Sequence, residues 1–367
     1  GWLRCASLAA WVATATLGAC RPAPSPQGGS ERPQADPAPV AQAPDAPAGE
    51  ALSLPDAAPE APLAGDAGHA SGDPMAPHKE SREDLLALFS IKDFSEKERQ
   101  VITPDAFLAR VVGTAGPHQM NQGNKAIARH TISREQCLAG LRDVVLQTPE
   151  QRRLCGADNM VPVWIKGKDP WFCIDVFEFP NQACELPWVW TAPAQAKKVC
   201  ELQGKRLCSQ TEWNVACRGD PDGAPDRRYA YGDTLDLEVC HTNLRHRQPC
   251  VTRTAKTAWD TCTTDTEPSG SFPGCRSRFG VFDQHGNVAE VMMRREGDVV
   301  YTQLKGSAWF YVELAKEPGQ PVPETTTNKA GAYPDHCNFD PRWHVEKLES
   351  AQHVNYHLGF RCCKSIP

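Results

Sequence analysis

Sixteen cysteines among 367 residues leave few environments in which this chain can fold. A reducing cytosol keeps thiols free unless they hold metal, and the short C-x₂-C pairs of zinc ribbons and fingers are missing. The cysteines therefore point to an exported protein stapled by disulfides. The formal net charge of −6 lacks the basic surface of a nucleic-acid binder. Beyond the first twenty residues there is no apolar run of the ~20 residues that a membrane-spanning helix needs.

Residues 1–20, GWLRCASLAAWVATATLGAC, read as a signal segment: Arg4 near the start, an Ala/Leu/Val/Trp run, then small residues before Cys20. Leu17-Gly18-Ala19-Cys20 resembles the lipobox of bacterial lipoproteins, which implies lipidation of Cys20 and a lipid anchor as the one link to a membrane. Arg21 follows the cysteine, which favours the outer membrane, with the periplasm or cell surface as the place of work. The chain opens on Gly rather than Met, so a few residues are expected to precede it. Residues 21–80 form a Pro/Ala-rich linker with 13 prolines and few large apolar side chains. Such a segment cannot bury enough surface to offset its ordering entropy, and its prolines keep it extended. It carries nine acids and three bases, so residues 81–367 are left close to neutral.

Residues 81–158 are expected to form a separate helical segment. SREDLLALFS and PDAFLARVVG are short amphipathic candidates. SREQCLAGLRDVVLQ places Cys137, Leu138, Leu141, Val144 and Val145 on one helical face. TPEQRRLCG follows as a second helix, and a Cys137–Cys155 bridge between the two is expected. From Asn159 onward short aromatic strands are predicted, around Met160–Lys166 and Trp171–Phe179. A helix is predicted over Pro193–Gln203, with proline in its first turn and Gly204 beyond its end. Another follows over Ser209–Ala216, where Ser209 and Glu212 spell a capping box.

Within residues 159–367 four ordered blocks resemble the formylglycine-generating enzyme (sulfatase-modifying factor) family. They are Gly204–Trp213 with Ala216-Cys217-Arg218-Gly219; Tyr229–Gly232; Phe279–Glu290; and Leu304–Trp309 with the closing Gly359-Phe360-Arg361. The resemblance implies a loop-rich α+β fold of the C-type-lectin-like kind. It also implies bridges Cys200–Cys362 and Cys217–Cys337, and a calcium held by Asp283, Gly286, Val288 and Glu290. Hard oxygen donors on a tight turn are what Ca²⁺ prefers. A second calcium would start at Asn243 and Leu244, with further ligands near Asp260–Asp265. Arg361, Arg206 and Trp213 are read as framework, since a buried guanidinium forks to carbonyls and carboxylates and fixes loops. His285 receives no catalytic role.

The family's reaction oxidises a sulfatase cysteine with O₂ at Cu(I) held by two thiolates, because soft thiolates select that ion. Here Tyr311 and Lys316 stand at the two thiolate positions, and copper is not expected. The H-x₃-H-x-E triad of the iron-dependent sulfoxide synthases is missing as well. His336, His344, His353 and His357 cluster late in the chain at spacings that fit no standard metal signature. Two functions stand side by side: a non-catalytic module binding an envelope protein, peptide or glycan, and a metal-dependent oxidoreductase with an altered centre.

Overall fold

In the computed structural model, residues 78–79, 81–89, 104–113, 116–242, 244, 249–310, 336–341 and 344–366 are described. The signal segment with Cys20 and nearly all of the linker lie outside them, as do Asn243, Tyr311 and Lys316. No helix among the described residues is long and apolar enough to cross a membrane.

The architecture is α+β and rich in loops. Helices α1 (Arg82–Leu88) and α2 (Pro104–Val111) come first, then α3 (Arg134–Gly140) and α4 (Pro149–Cys155). Strands β1 (Met160–Val163) and β2 (Phe172–Asp175) precede α5 (Pro193–Leu202), β3 (Arg206–Leu207) and α6 (Gln210–Arg218). Helix α7 (Ala255–Thr261) leads to the long hairpin β4 (Ala289–Glu296) and β5 (Val299–Lys305), and β6 (Leu358–Gly359) and β7 (Cys362–Ser365) close the chain. One sheet has the order β1-β2-β7-β3, antiparallel throughout; the other has the order β5-β4-β6, with β4 and β6 parallel.

Local chemistry explains the best-formed helices. Ser209 accepts from the Glu212 amide while Glu212 accepts from the Ser209 amide, closing the capping box of α6. Pro193 opens α5, where its missing N–H costs nothing. Gly156 ends α4 at φ 59°, in the left-handed region a residue with a Cβ avoids. Helix α6 packs Trp213, Ala216 and Cys217 into a core with Phe172, Ile174, Phe177, Phe282 and Met292. A second cluster joins Leu85 and Leu88 of α1 to Phe179, Trp188, Val199 and Phe360. The first helix is thus docked on the main domain.

Two expectations for residues 81–158 are corrected. Helix α3 stops at Gly140 instead of running to Val145; Leu138 and Val145 are exposed, whereas Leu141 turns into the core. A glycine costs about 1 kcal/mol in a helix, and the burial of Leu141 rewards the break. The bridge Cys137–Cys155 does not form. Cys137 pairs with Cys184 and Cys155 with Cys173. Helix α3 faces the loop after β2, which holds Cys184, whereas α4 lies over β1 and β2, which hold Cys173, so the two cysteines face different partners. The segment is also woven into the domain: Asn121 and Val189 exchange two backbone hydrogen bonds, and the amides of Thr131 and Ile132 donate to Glu267.

Candidate functional site

The turn Asp283–Glu290 lies at the centre of the domain. Asp283, Gly286 and Asn287 all have positive φ. At Gly286 a Cβ would stand 2.2 Å from the His241 carbonyl oxygen, so only glycine lets these two segments touch. Glu178 ties the turn down, its carboxylate accepting from the Val288 amide (2.9 Å), Asn287 Nδ2 (2.6 Å) and Ser269 Oγ (2.9 Å). Asp283 Oδ2 accepts from the Gly270 amide at 2.7 Å. Glu290 accepts from Arg361 Nε at 2.7 Å and Trp213 Nε1 at 2.9 Å on Oε2, and from Arg361 Nη2 on Oε1. Arg361, wholly buried, also donates to the carbonyls of Asp175, Val176 and Phe282.

Of the four residues implied for calcium, Glu290 has both oxygens engaged by donors, the Arg361 guanidinium among them. Burial pushes Asp283 up to about 7, with Glu290's charge adding to the shift. Burial likewise raises Glu178, and the charges of Asp283 and Glu290 raise it further. Of the second implied site, Asn243 lies outside the described residues, while Leu244 and Asp265 line one cavity. Leu244 is half-exposed and donates its amide to the Trp309 carbonyl. Asp265 accepts from the Arg129 amide, and Asp260 pairs with Lys256 on the surface of α7.

Every cysteine from Cys137 onward is in a disulfide. Cys200–Cys362 and Cys217–Cys337 join segments 162 and 120 residues apart, beside Cys208–Cys363, Cys240–Cys275 and Cys250–Cys262. No thiolate is therefore left among the described residues to hold Cu(I). The Cys217–Cys337 bridge lies against buried His285, whose Nε2 is 3.4 Å and 3.9 Å from the two sulfurs and accepts from the Ala230 amide at 2.9 Å. Sequence reasoning missed this placement, and equally Glu178 and the buried Lys305. Lys305 pairs with Asp340 at 2.9 Å, donates to the carbonyls of Cys337 and Phe339, and sits over the Trp213 ring. A charged residue inside a strand otherwise buried at that end was the available signal for Lys305; for Glu178 there was none.

Two cavities open from this framework. One, of about 550 Å³, is lined by Arg129, Glu238, His241, Asp265, Glu267 and Phe272 among others. Burial pushes His241 down to about 4, and its Nε2–H donates to the Asp265 carbonyl at 2.7 Å. The other, of about 480 Å³, includes His118, His344, His353 and His357 in its wall, with Phe310 and Tyr356. Of the four late histidines the fold thus brings three together. His336 lies elsewhere, against Phe339. Burial pushes His344 down to about 4 and lowers His353 as well.

The sulfatase-modifying factor enzyme 1-like domain family matches residues 116–366, and the chain belongs to that family. The match begins ahead of the boundary expected at 159, in keeping with the way residues 116–158 pack on the domain. Among solved structures, the one titled "Crystal Structure of CarF" is 14% identical, with 57% of this chain and 97% of that chain covered and a TM-score of 0.33. The Major Tropism Determinant U1 variant is 11% identical, with 57% of this chain and 55% of that one covered and a TM-score of 0.26. No curated protein matches the sequence.

Proposed function

We propose that this chain is an exported, lipid-anchored protein whose sulfatase-modifying-factor-like domain works as a binding module and not as a copper oxidase. The carrying observation is the sulfur inventory. All fourteen cysteines from Cys137 onward are in bridges, and Tyr311 and Lys316 stand where the family's thiolates are expected. Cu(I) selects thiolates, and among the described residues no free thiol is left to supply one. The lipobox-like Leu17–Cys20 and the Pro-rich linker behind it support an anchor at Cys20 that lets the domain reach away from an envelope surface. The cavity of about 550 Å³ combines apolar walls at Leu237, Leu244 and Phe272 with Arg129, Glu238 and Glu267. A few polar groups set in an apolar cleft suit recognition of a peptide segment or glycan of an envelope partner.

The test is oxygen uptake on a cysteine-containing sulfatase peptide by protein loaded with Cu(I), run beside peptide mapping under non-reducing conditions. The expected result is no uptake and seven intact bridges. Uptake together with a thiol that copper protects from alkylation would replace this reading with an oxidoreductase of altered centre. For the anchor, Cys20→Ala is expected to release the protein from the membrane fraction; retention with normal processing refutes lipidation.

A further inference from the structure

Beyond the binding module just described, the second cavity has a chemistry of its own. His344 and His353 stack with ring centres 4.3 Å apart and planes 27° from parallel, and the His357 ring centre is 6.5 Å from that of His344. His357 is wedged edge-on against Phe310 at 5.0 Å and Tyr356 at 4.7 Å. His118 lines the same space. Two further observations set this group apart from scattered surface histidines. His353 Nε2 is buried and has no hydrogen-bond partner among the described residues. His344 adopts φ 59°, a conformation costing about 1–3 kcal/mol outside glycine and concentrated at ligand sites.

The donor set selects the ligand. Imidazole nitrogens suit zinc, copper and nickel, whereas calcium and magnesium demand oxygen. An imidazole bound at about 2.0–2.1 Å puts its ring centre about 3.2 Å from the ion, so two ligands of one ion have ring centres at most about 6.4 Å apart. The His344–His353 pair meets that limit as it stands. The His357 ring centre, 6.5 Å from that of His344, lies beyond it. The three ring nitrogens do not yet converge. Among the described residues only Cys217, His285 and Cys337 have ligand atoms that do, and there the two sulfurs are bonded to each other. We propose that the imidazoles of His344 and His353 form a binding site for a first-row transition ion, Zn²⁺ or Cu²⁺, in the cavity beside Phe310, with water filling the remaining positions.

The test uses the untagged full-length protein, stripped of metal and titrated calorimetrically with Zn²⁺ alone and with Cu²⁺ alone, with electron paramagnetic resonance on the copper form. One ion per chain is expected to bind, with nitrogen hyperfine structure from two imidazoles. His344→Asn, chosen because Asn tolerates positive φ, and His353→Gln should each weaken binding at least tenfold. His336→Ala, outside the cavity, should leave affinity unchanged. If His344→Asn fails to fold, His353→Gln decides alone. Absence of stoichiometric binding overturns the proposal, and so does equal affinity in His353→Gln and the parent, or a copper spectrum without nitrogen coupling. None of these readouts depends on oxygen uptake, so the metal site and the binding-module reading stand or fall separately.

Discussion

The turn Asp283–Glu290 and the histidine cavity both concentrate ionisable side chains in the interior, yet they handle them in opposite ways. In the turn every charged group has a partner inside the protein: Glu290 has Arg361 and Trp213, Glu178 has three donors, and Asp283 has the Gly270 amide. In the cavity the imidazoles lean on one another, and His353 Nε2 has no partner among the described residues. Carboxylates engaged in this way spend their chemistry on the fold, whereas the buried His353 Nε2 keeps a lone pair for a ligand. The residues spelling the family's strongest motif thus act here as framework, and residues outside all four blocks are those left with chemistry to offer.

The comparison breaks most visibly where the framework is cut. Replacing Cys217 and Cys337 together by alanine opens a loop of 120 residues, expected to cost roughly 5 kcal/mol in the chain-entropy model. Urea midpoints should show it, and a loss below about 1 kcal/mol would mean that the hydrogen-bond network alone holds this face.

Next in size is Arg361→Met. It leaves Glu290 buried beside Trp213 with no cation, expected to cost about 3–5 kcal/mol. His353→Gln, on the other side of the comparison, should change stability by less than about 1 kcal/mol, as substitutions away from a closed network do. Equal losses in the two variants would erase the distinction drawn between the regions.

A pH series sharpens it further. Asp283, held near 7 against an ordinary 3.8, binds more protons folded than unfolded between those values. Its contribution is complete below about 4 and is lost as pH rises through 7; Glu178 acts in the same sense. His241, held near 4 against an ordinary 6.5, contributes fully above 6.5 and loses that contribution as pH falls toward 4. Asp283→Asn should therefore move the pH of maximum stability upward. An unchanged profile would show that Asp283 is ionised in the native state across this range.

The smallest expected effect is the response to calcium. Since Glu290 is engaged by Arg361 and Trp213, EDTA and added Ca²⁺ should leave the melting temperature within about 1 °C of its starting value. An ion present at ~100 times its dissociation constant would instead stabilise the fold by about 2.7 kcal/mol, so a rise of several degrees with Ca²⁺ would show the network opening to admit it.

Much of the local structure was legible in the residues. Ser209 and Glu212 announced the start of α6, Pro193 that of α5, and Gly156 the end of α4, because capping and φ preferences act over one turn of chain. The role of Arg361 was legible too, since a guanidinium inside a loop-rich core has few other uses. The partner of Cys137 was not: sequence spacing made Cys155 the nearest candidate, and only the packing of α3 against the loop after β2 sets it beside Cys184. Nor was the setting of the oxygen donors implied for calcium: Arg361 arrives from seventy-one residues away to engage Glu290.

What the sequence determined by itself was the family, the cysteine-rich character and the lack of cysteine at positions 311 and 316, because each depends on residue identity and order along the chain. What only the tertiary structure decided was which side chains meet. Glu178 reaches the Asp283–Glu290 turn across more than a hundred residues, and His118 joins His344, His353 and His357 around one cavity. The physical reason lies in the fold's character. Its regular elements are short and its contacts long-range, so the chemistry of each site is set by loop packing and disulfide closure, which no local spacing encodes.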